Sequence, residues 1–166
     1  MNKLCTFLFL TVIIGRDLNQ SLQIAGDNSL EIKKAMSSVS LNHSKGMQWL
    51  ITHMPTEDLK NVKAEFLLLN SNIAHQARES TKWGQEIPED LFFSYVLPYA
   101  NLNETVESWR LDFFNKFYPM VKDMQSAYDA VVFLNQKIFD ELGVIYSTKR
   151  PKADQSPYES INAGMA

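Results

Sequence analysis

DLKNVKAEFLLLNSNIAHQARESTK, residues 58–82, is the most regular stretch of the chain. Leu59, Val62, Phe66, Leu69, Ile73 and Ala77 recur in it at steps of three and four, the period of one helix face. The spacing predicts one long amphipathic helix over 58–82. Thr56 is its expected N-cap, Glu57 and Asp58 suit the positive end of its dipole, and Trp83-Gly84 closes it. His75 falls off this stripe and is expected on the wet face.

A helix with one apolar face needs partners, and the flanking segments supply helices. Upstream, Asn28-Ser-Leu-Glu31 has the form of a capping box, followed by Leu30, Ile32, Ala35, Met36 and Val39 at roughly helical spacing. Asn42 or Ser44 caps a second helix with Met47, Leu50, Ile51 and Met54 inward, and Pro55 ends it.

Downstream, Pro88 suits a first helical position, Glu89 and Asp90 follow it, and Leu91, Phe92, Tyr95 and Val96 are expected to face inward before Pro98. Asn101-Leu-Asn-Glu104 again reads as a capping box, ahead of Val106, Trp109, Phe113, Phe117 and Met120, with a break or kink at Pro119. Ala127, Val131, Leu134, Ile138 and Leu142 mark another helix, capped by Gly143.

Val144 to Thr148 is β-branched and aromatic, a short strand or simply extended chain. Ser156-Pro157-Tyr158-Glu159 combines a capping Ser, Pro at the first helical position and Glu at the third, close to Ala166. The expected fold is mainly α: a compact multi-helix domain with at most a short strand near 144–148 and an incomplete C-terminal end.

Residues 1–15 differ from the rest. Lys3 gives a positive start, and Leu4 to Ile14 is an almost unbroken apolar run, long enough for a secretory signal core and too short to span a bilayer. Ile13–Gly15 and Ile24–Gly26 both offer passable cleavage patterns. Cys5, the single cysteine, lies inside the run and would leave with it. The expectation is an exported protein, periplasmic, cell-surface or extracellular, that meets a membrane only during export.

The 166 residues are enough for one domain with a sizeable core, and 45% hydrophobic with 21% charged residues is a globular balance. A net charge of -3, with Lys33-Lys34 and Lys149-Arg150 as the largest basic clusters, argues against nucleic acid as a partner.

No side chain stands out as catalytic. Without a mature cysteine there is no thiol chemistry, and no serine sits in a Gly-x-Ser-x-Gly elbow. The three histidines, His43, His53 and His75, show no His-x-x-x-His pair and no metal-ligand spacing. No metal or cofactor is expected, and no phosphate loop or dinucleotide fingerprint occurs. The acid pairs Glu57-Asp58 and Glu89-Asp90 belong to helix starts. The aromatics, at helical spacing, read as core.

Several stretches carry a family resemblance. Ala25-Gly-Asp-Asn-Ser-Leu-Glu-Ile32, Trp49-Leu-Ile-Thr-His-Met-Pro55, Phe92-Phe-Ser-Tyr-Val-Leu-Pro-Tyr99 with Trp109-Arg110, and Tyr146-Ser-Thr-Lys-Arg-Pro-Lys-Ala-Asp-Gln-Ser-Pro-Tyr-Glu-Ser160 together span nearly all of residues 26–166. They resemble the front half of a transglutaminase-like family common among exported proteins of Bacteroides-type bacteria.

The resemblance implies three parts: a signal over 1–15, a helical N-terminal domain over 16–143, and the start of a catalytic domain over 144–166. It implies that the nucleophilic Cys, with its His and Asp, belongs to a catalytic domain further along the parent chain. This chain alone is then not an enzyme, and none of its residues inherits a catalytic role. Gln155 is the one candidate to approach the active site. Trp109 and Arg110 are expected as packing anchors, and Ser156, Pro157 and Glu159 as the helix start. Residues 146–166 are expected to be loosely packed without their continuation. The alternative is a stand-alone binding module for a glycan or protein partner.

Overall fold

A computed structural model describes residues 16–101, 103–149 and 151–166. The signal reading of residues 1–15, with Lys3 and Cys5, lies outside the described residues. What is described is mainly helical: α1 Leu18–Ala25, α2 Ser29–Ser38, α3 Ser44–His53, α4 Thr56–Asn61, α5 Ala64–Glu79, α6 Lys82–Gln85, α7 Glu89–Leu91, α8 Trp109–Val121, α9 Ala127–Leu142 and α10 Pro157–Ala163. A mainly α fold is what the periodicity predicts. Among the described residues no helix is long and apolar enough to cross a membrane.

The core sits between α1 and the chain around Tyr99. Ile32, Met47, Ile51, Leu59, Leu67, Phe92 and Leu97 are fully enclosed there. α1 packs on α4, and α2 on α5. α8 lies on the outer side of α5, and α9 packs mainly on α8.

The long helix expected over 58–82 is two helices. Val62 and Lys63 are extended between α4 and α5, with ψ of 136° and 150°. Asn28 and Glu31, the residues of the expected capping box, explain the break. The Asn28 Nδ2 donates to the carbonyls of Leu59 and Val62, each at 2.9 Å. Glu31 Oε2 accepts the free N–H of Ala64 at 2.8 Å. The backbone groups freed by interrupting the helix are thus satisfied from α2, 31 to 34 residues away, and Asn28 makes no cap of its own helix.

The break also resets the phase of α5. Its buried residues are Ala64, Leu67, Asn70, Ser71, Ile73, Ala74 and His75, so Ile73 stays inward as expected while Leu69 turns outward. His75 is 4% exposed, opposite to expectation. Thr56 begins α4 rather than capping it, Pro55 taking the cap position. Trp83 and Gly84 sit in the short helix α6, capped by Thr81.

Phe92–Val96 forms a π-helical turn, its N–H of Leu97 reaching the Phe92 carbonyl at 2.9 Å. The wider turn brings Phe92, Phe93 and Leu97 inward and throws Tyr95 out, 81% exposed where an inward position is expected. Pro88 precedes α7 rather than opening it. Asn101 and Glu104 do bond one another, the Asn101 N–H at 2.9 Å and its Nδ2 at 2.7 Å, but no helix follows until Trp109. Pro119 causes no break near Tyr118: α8 runs on to Val121, because a proline so near the end removes a bond only from Asn115. Gly143 caps α9 in the left-handed conformation, φ 67°, as expected.

Candidate functional site

The segment after α9 is the part the sequence singles out. Val144 to Thr148 is extended rather than a strand, meeting the rest through one parallel bridge between Ile145 and Met165. Ile145 donates to the Gly164 carbonyl at 3.0 Å, and Ala166 donates back to Ile145 at 3.0 Å.

α10 starts as predicted. Ser156 Oγ accepts the Glu159 N–H at 3.1 Å, Glu159 Oε2 accepts the Ser156 N–H at 2.8 Å, and Pro157 takes the first position. This box is also a joint to the rest of the protein. Fully buried Ser156 donates its hydroxyl to Glu107, and Tyr158 donates to Asp112. Glu159 Oε1 accepts from Lys152 Nζ and Thr105 Oγ1, both at 2.9 Å.

Donors therefore surround the Glu159 carboxylate. The Lys152 ammonium, then the Ser156 N–H and the Thr105 hydroxyl, hold its pKa down to about 2. The hydrogen bond to Asp112 pushes the Tyr158 phenol up to about 12. Of the described residues in 146–166 only Ser156 is buried; Tyr146, 76% exposed, Thr148, Lys149 and residues 151–154 are open to solvent, and α10 has no buried residue. Gln155 is half-buried, with its Oε1 enclosed and lacking a hydrogen-bond partner.

Trp109 and Arg110 act as anchors, but toward the core rather than toward α10. Trp109 Nε1 donates to the Tyr99 carbonyl at 3.1 Å. The Arg110 guanidinium donates to the carbonyls of Val96 at 2.8 Å, Leu97 at 3.4 Å and Pro98. Burial lowers its pKa to about 10. These contacts tie the start of α8 to the carbonyls released at the end of the π turn.

The outer helices remain uncovered. α9 reads AYDAVVFLNQKIFDEL, with a polar side of Asp129, Gln136, Lys137, Asp140 and Glu141; Ala130 is its only buried residue, while Phe133, Leu134, Ile138, Phe139 and Leu142 are partly buried. Tyr128 is 76% and Val131 64% exposed, against the inward position expected of Val131. Leu111 on α8 and Val132 on α9 are exposed as well.

Sequence reasoning misses a second constellation. His43, at the end of a short 3₁₀ turn Leu41–His43, stacks on His75 of α5 with centroids 3.9 Å apart and rings 5° from parallel. His43 Nε2 lies 2.8 Å from Glu79 Oε1, and His75 Nδ1 lies 3.8 Å from the same oxygen. The His75–Glu79 spacing of four places both on one face of α5. Only that half is visible in sequence; His43 is 36 residues from Glu79 and arrives through the fold. Burial, then the neighbouring His43, lowers the His75 pKa to about 4, with Glu79 opposing and Arg78 adding to the shift.

A shallow pocket of about 130 Å³ lies elsewhere, between Trp49, His53, Met54, Asp58 and Tyr99. The Tyr99 hydroxyl donates to Asp58 at 2.6 Å there, and burial with that bond raises the Tyr99 pKa. Comparisons with family models, curated proteins and solved structures give no match for this chain.

Proposed function

We propose that this chain is the non-catalytic helical part of a transglutaminase-like thiol protein, and that α8, α9 and residues 144–166 support a catalytic domain of the same parent chain. The observation that carries the reading is α9: a 16-residue helix, largely apolar, with one buried residue. Enclosing a side chain such as Tyr128 or Val131 is worth on the order of 1.5–3 kcal/mol each, so this face has a strong drive to be covered.

The occupant is inferred from continuity. Exposed Ile145 and Tyr146 directly follow α9, at the head of the stretch resembling the approach to the family's nucleophile. α10 then fixes the exit direction through Ser156, Glu107 and Glu159. The role of Gln155 in this reading is to lie beside the path into the catalytic domain. The chain supplies the scaffold; the Cys, His and Asp of thiol attack on an amide belong to the continuation.

Export through the signal at 1–15 accompanies the reading. Cleavage near Ile13–Gly15 suits it better than cleavage at Ile24–Gly26, because α1 packs on α4 and its Ser21 and Ala25 are buried.

The test is the reading frame beyond Ala166 in the native transcript, followed by hydrogen exchange and tyrosine solvent-accessibility measurements on the full product. The expected result is a cysteine-led helix, a later His and Asp, and protection of Tyr128 and Tyr146 in the longer protein. A stop codon after Ala166, or a longer protein in which both tyrosines stay solvent-accessible, would overturn the proposal.

A further inference from the structure

The stacked histidines pose a chemical problem. His75 is almost wholly enclosed, yet its Nδ1 stands beyond hydrogen-bond reach of Glu79 at 3.8 Å, and its Nε2 is buried without a partner. The Nε2 is turned to Gly46, where a Cβ would come within 2.8 Å of it. His43 Nδ1 is likewise buried without a partner. A buried imidazole nitrogen without a partner is costly, and such orphans call for an explanation.

The nitrogens that are not walled in converge. One ligand atom each of His43, His75 and Glu79 lies within 4.8 Å of the others, and His43 Nε2 and His75 Nδ1 are the nitrogens facing Glu79 Oε1, at 2.8 and 3.8 Å. Two elements supply them: the 3₁₀ turn brings one ligand and α5 brings two at i and i+4. The cluster opens on a hollow lined by His43, Asn72, Gln76, Glu79 and Ser80, so water has access to the remaining positions. Glu79 is the flexible, exposed member and His75 the fixed one.

We propose that His43 Nε2, His75 Nδ1 and the Glu79 carboxylate bind a divalent ion of the zinc class, with solvent completing the coordination. Two imidazoles and one carboxylate are a nitrogen-rich set, matched to Zn²⁺ and its late first-row neighbours rather than to Mg²⁺ or Ca²⁺. A tetrahedral ion at about 2.1 Å from each nitrogen needs those nitrogens roughly 3.4 Å apart and in lone-pair alignment. Parallel rings do not supply that alignment, so metal binding requires His43, whose side chain is 16% exposed, to turn out of the stack while the more deeply buried His75 stays.

The remaining charge nearby is Arg78, which opposes a cation. Its guanidinium is engaged over the Phe92 ring at 4.8 Å and with the Ile87 carbonyl at 2.9 Å.

The experiment is zinc titration of the untagged full chain by calorimetry, with imidazole ¹⁵N–¹H spectra to identify the bound nitrogens. Expected are one saturable zinc per chain, large shifts assigning His43 through Nε2 and His75 through Nδ1, and a zinc-dependent rise in Tm. His43→Gln and Glu79→Gln alter exposed or partly exposed groups, keep the fold, and weaken zinc by at least about tenfold. Cys5→Ser leaves binding unchanged. No saturable binding, binding that survives both His43→Gln and Glu79→Gln, or shifts confined to His53 would overturn the proposal. The docking face plays no part in this site, so either idea can fail without the other.

Discussion

Replacing Arg110 by Met keeps most of the side-chain volume and removes the guanidinium. In the native protein that group donates to the Val96 and Pro98 carbonyls and, at the longer 3.4 Å, to Leu97. Burial lowers its pKa from 12.5 to about 10, which corresponds to roughly 3 kcal/mol of desolvation that the variant recovers. Against that stand the lost charge-assisted bonds, about 1.5–3 kcal/mol each, and the enclosed carbonyls left unpaired, about 1–3 kcal/mol each.

The net expectation is about 3 kcal/mol of destabilisation, in line with the loss of one member of a buried polar set. Urea unfolding measures it directly, and the matching fall in Tm is roughly 6–12 °C for a domain of this size. Arg110→Lys should recover only a minor part, since an ammonium lacks the fork that spans successive carbonyls. Amide exchange should accelerate first at 96–100 and in the opening turn of α8. A Met variant within about 1 kcal/mol of the native protein would refute the anchor reasoning.

Three further outcomes follow from the same geometry. Asn28→Ala should cost about 2–4 kcal/mol by urea unfolding, because it strips the donor from two buried carbonyls, Leu59 and Val62. The Glu159 carboxyl should titrate near 2 in a carbon-detected NMR series; since its folded pKa lies below the ordinary 4.5, its contribution is present above that value and is lost as pH falls from about 4.5 toward 2. Ser156→Ala should cost about 1–2 kcal/mol and speed exchange in 157–163 while leaving α2 to α5 unaffected, because it removes an N-cap and a buried partner of Glu107.

Much of the helical content was legible from the chain. Periodicity placed α2, α3 and α9, and local signals of a few residues placed the termini at Gly143 and Ser156-Pro157. Those signals depend on backbone groups within one turn, so sequence is sufficient for them. The start of α10 was legible as well, through Ser156, Pro157 and Glu159, while the hydrogen-bond partners of Trp109 and Arg110 were not foreseen.

What failed was anything settled by residues far apart. A regular stripe from Leu59 to Ala77 favours one helix, but Asn28 and Glu31 satisfy the backbone groups exposed by a break at Val62-Lys63, and the break rotates α5. That rotation buries His75 and turns Leu69 outward. His43 and His75 meet only because the 3₁₀ turn packs beside α5, a placement no local spacing encodes. Sequence determined the helical fold and some element ends, such as Gly143 and Ser156, through local hydrogen bonding and apolar period. Tertiary structure alone decided where the longest helix breaks, which face of it is buried and which histidines touch, because competing long-range hydrogen bonds can offset the loss of a few local ones.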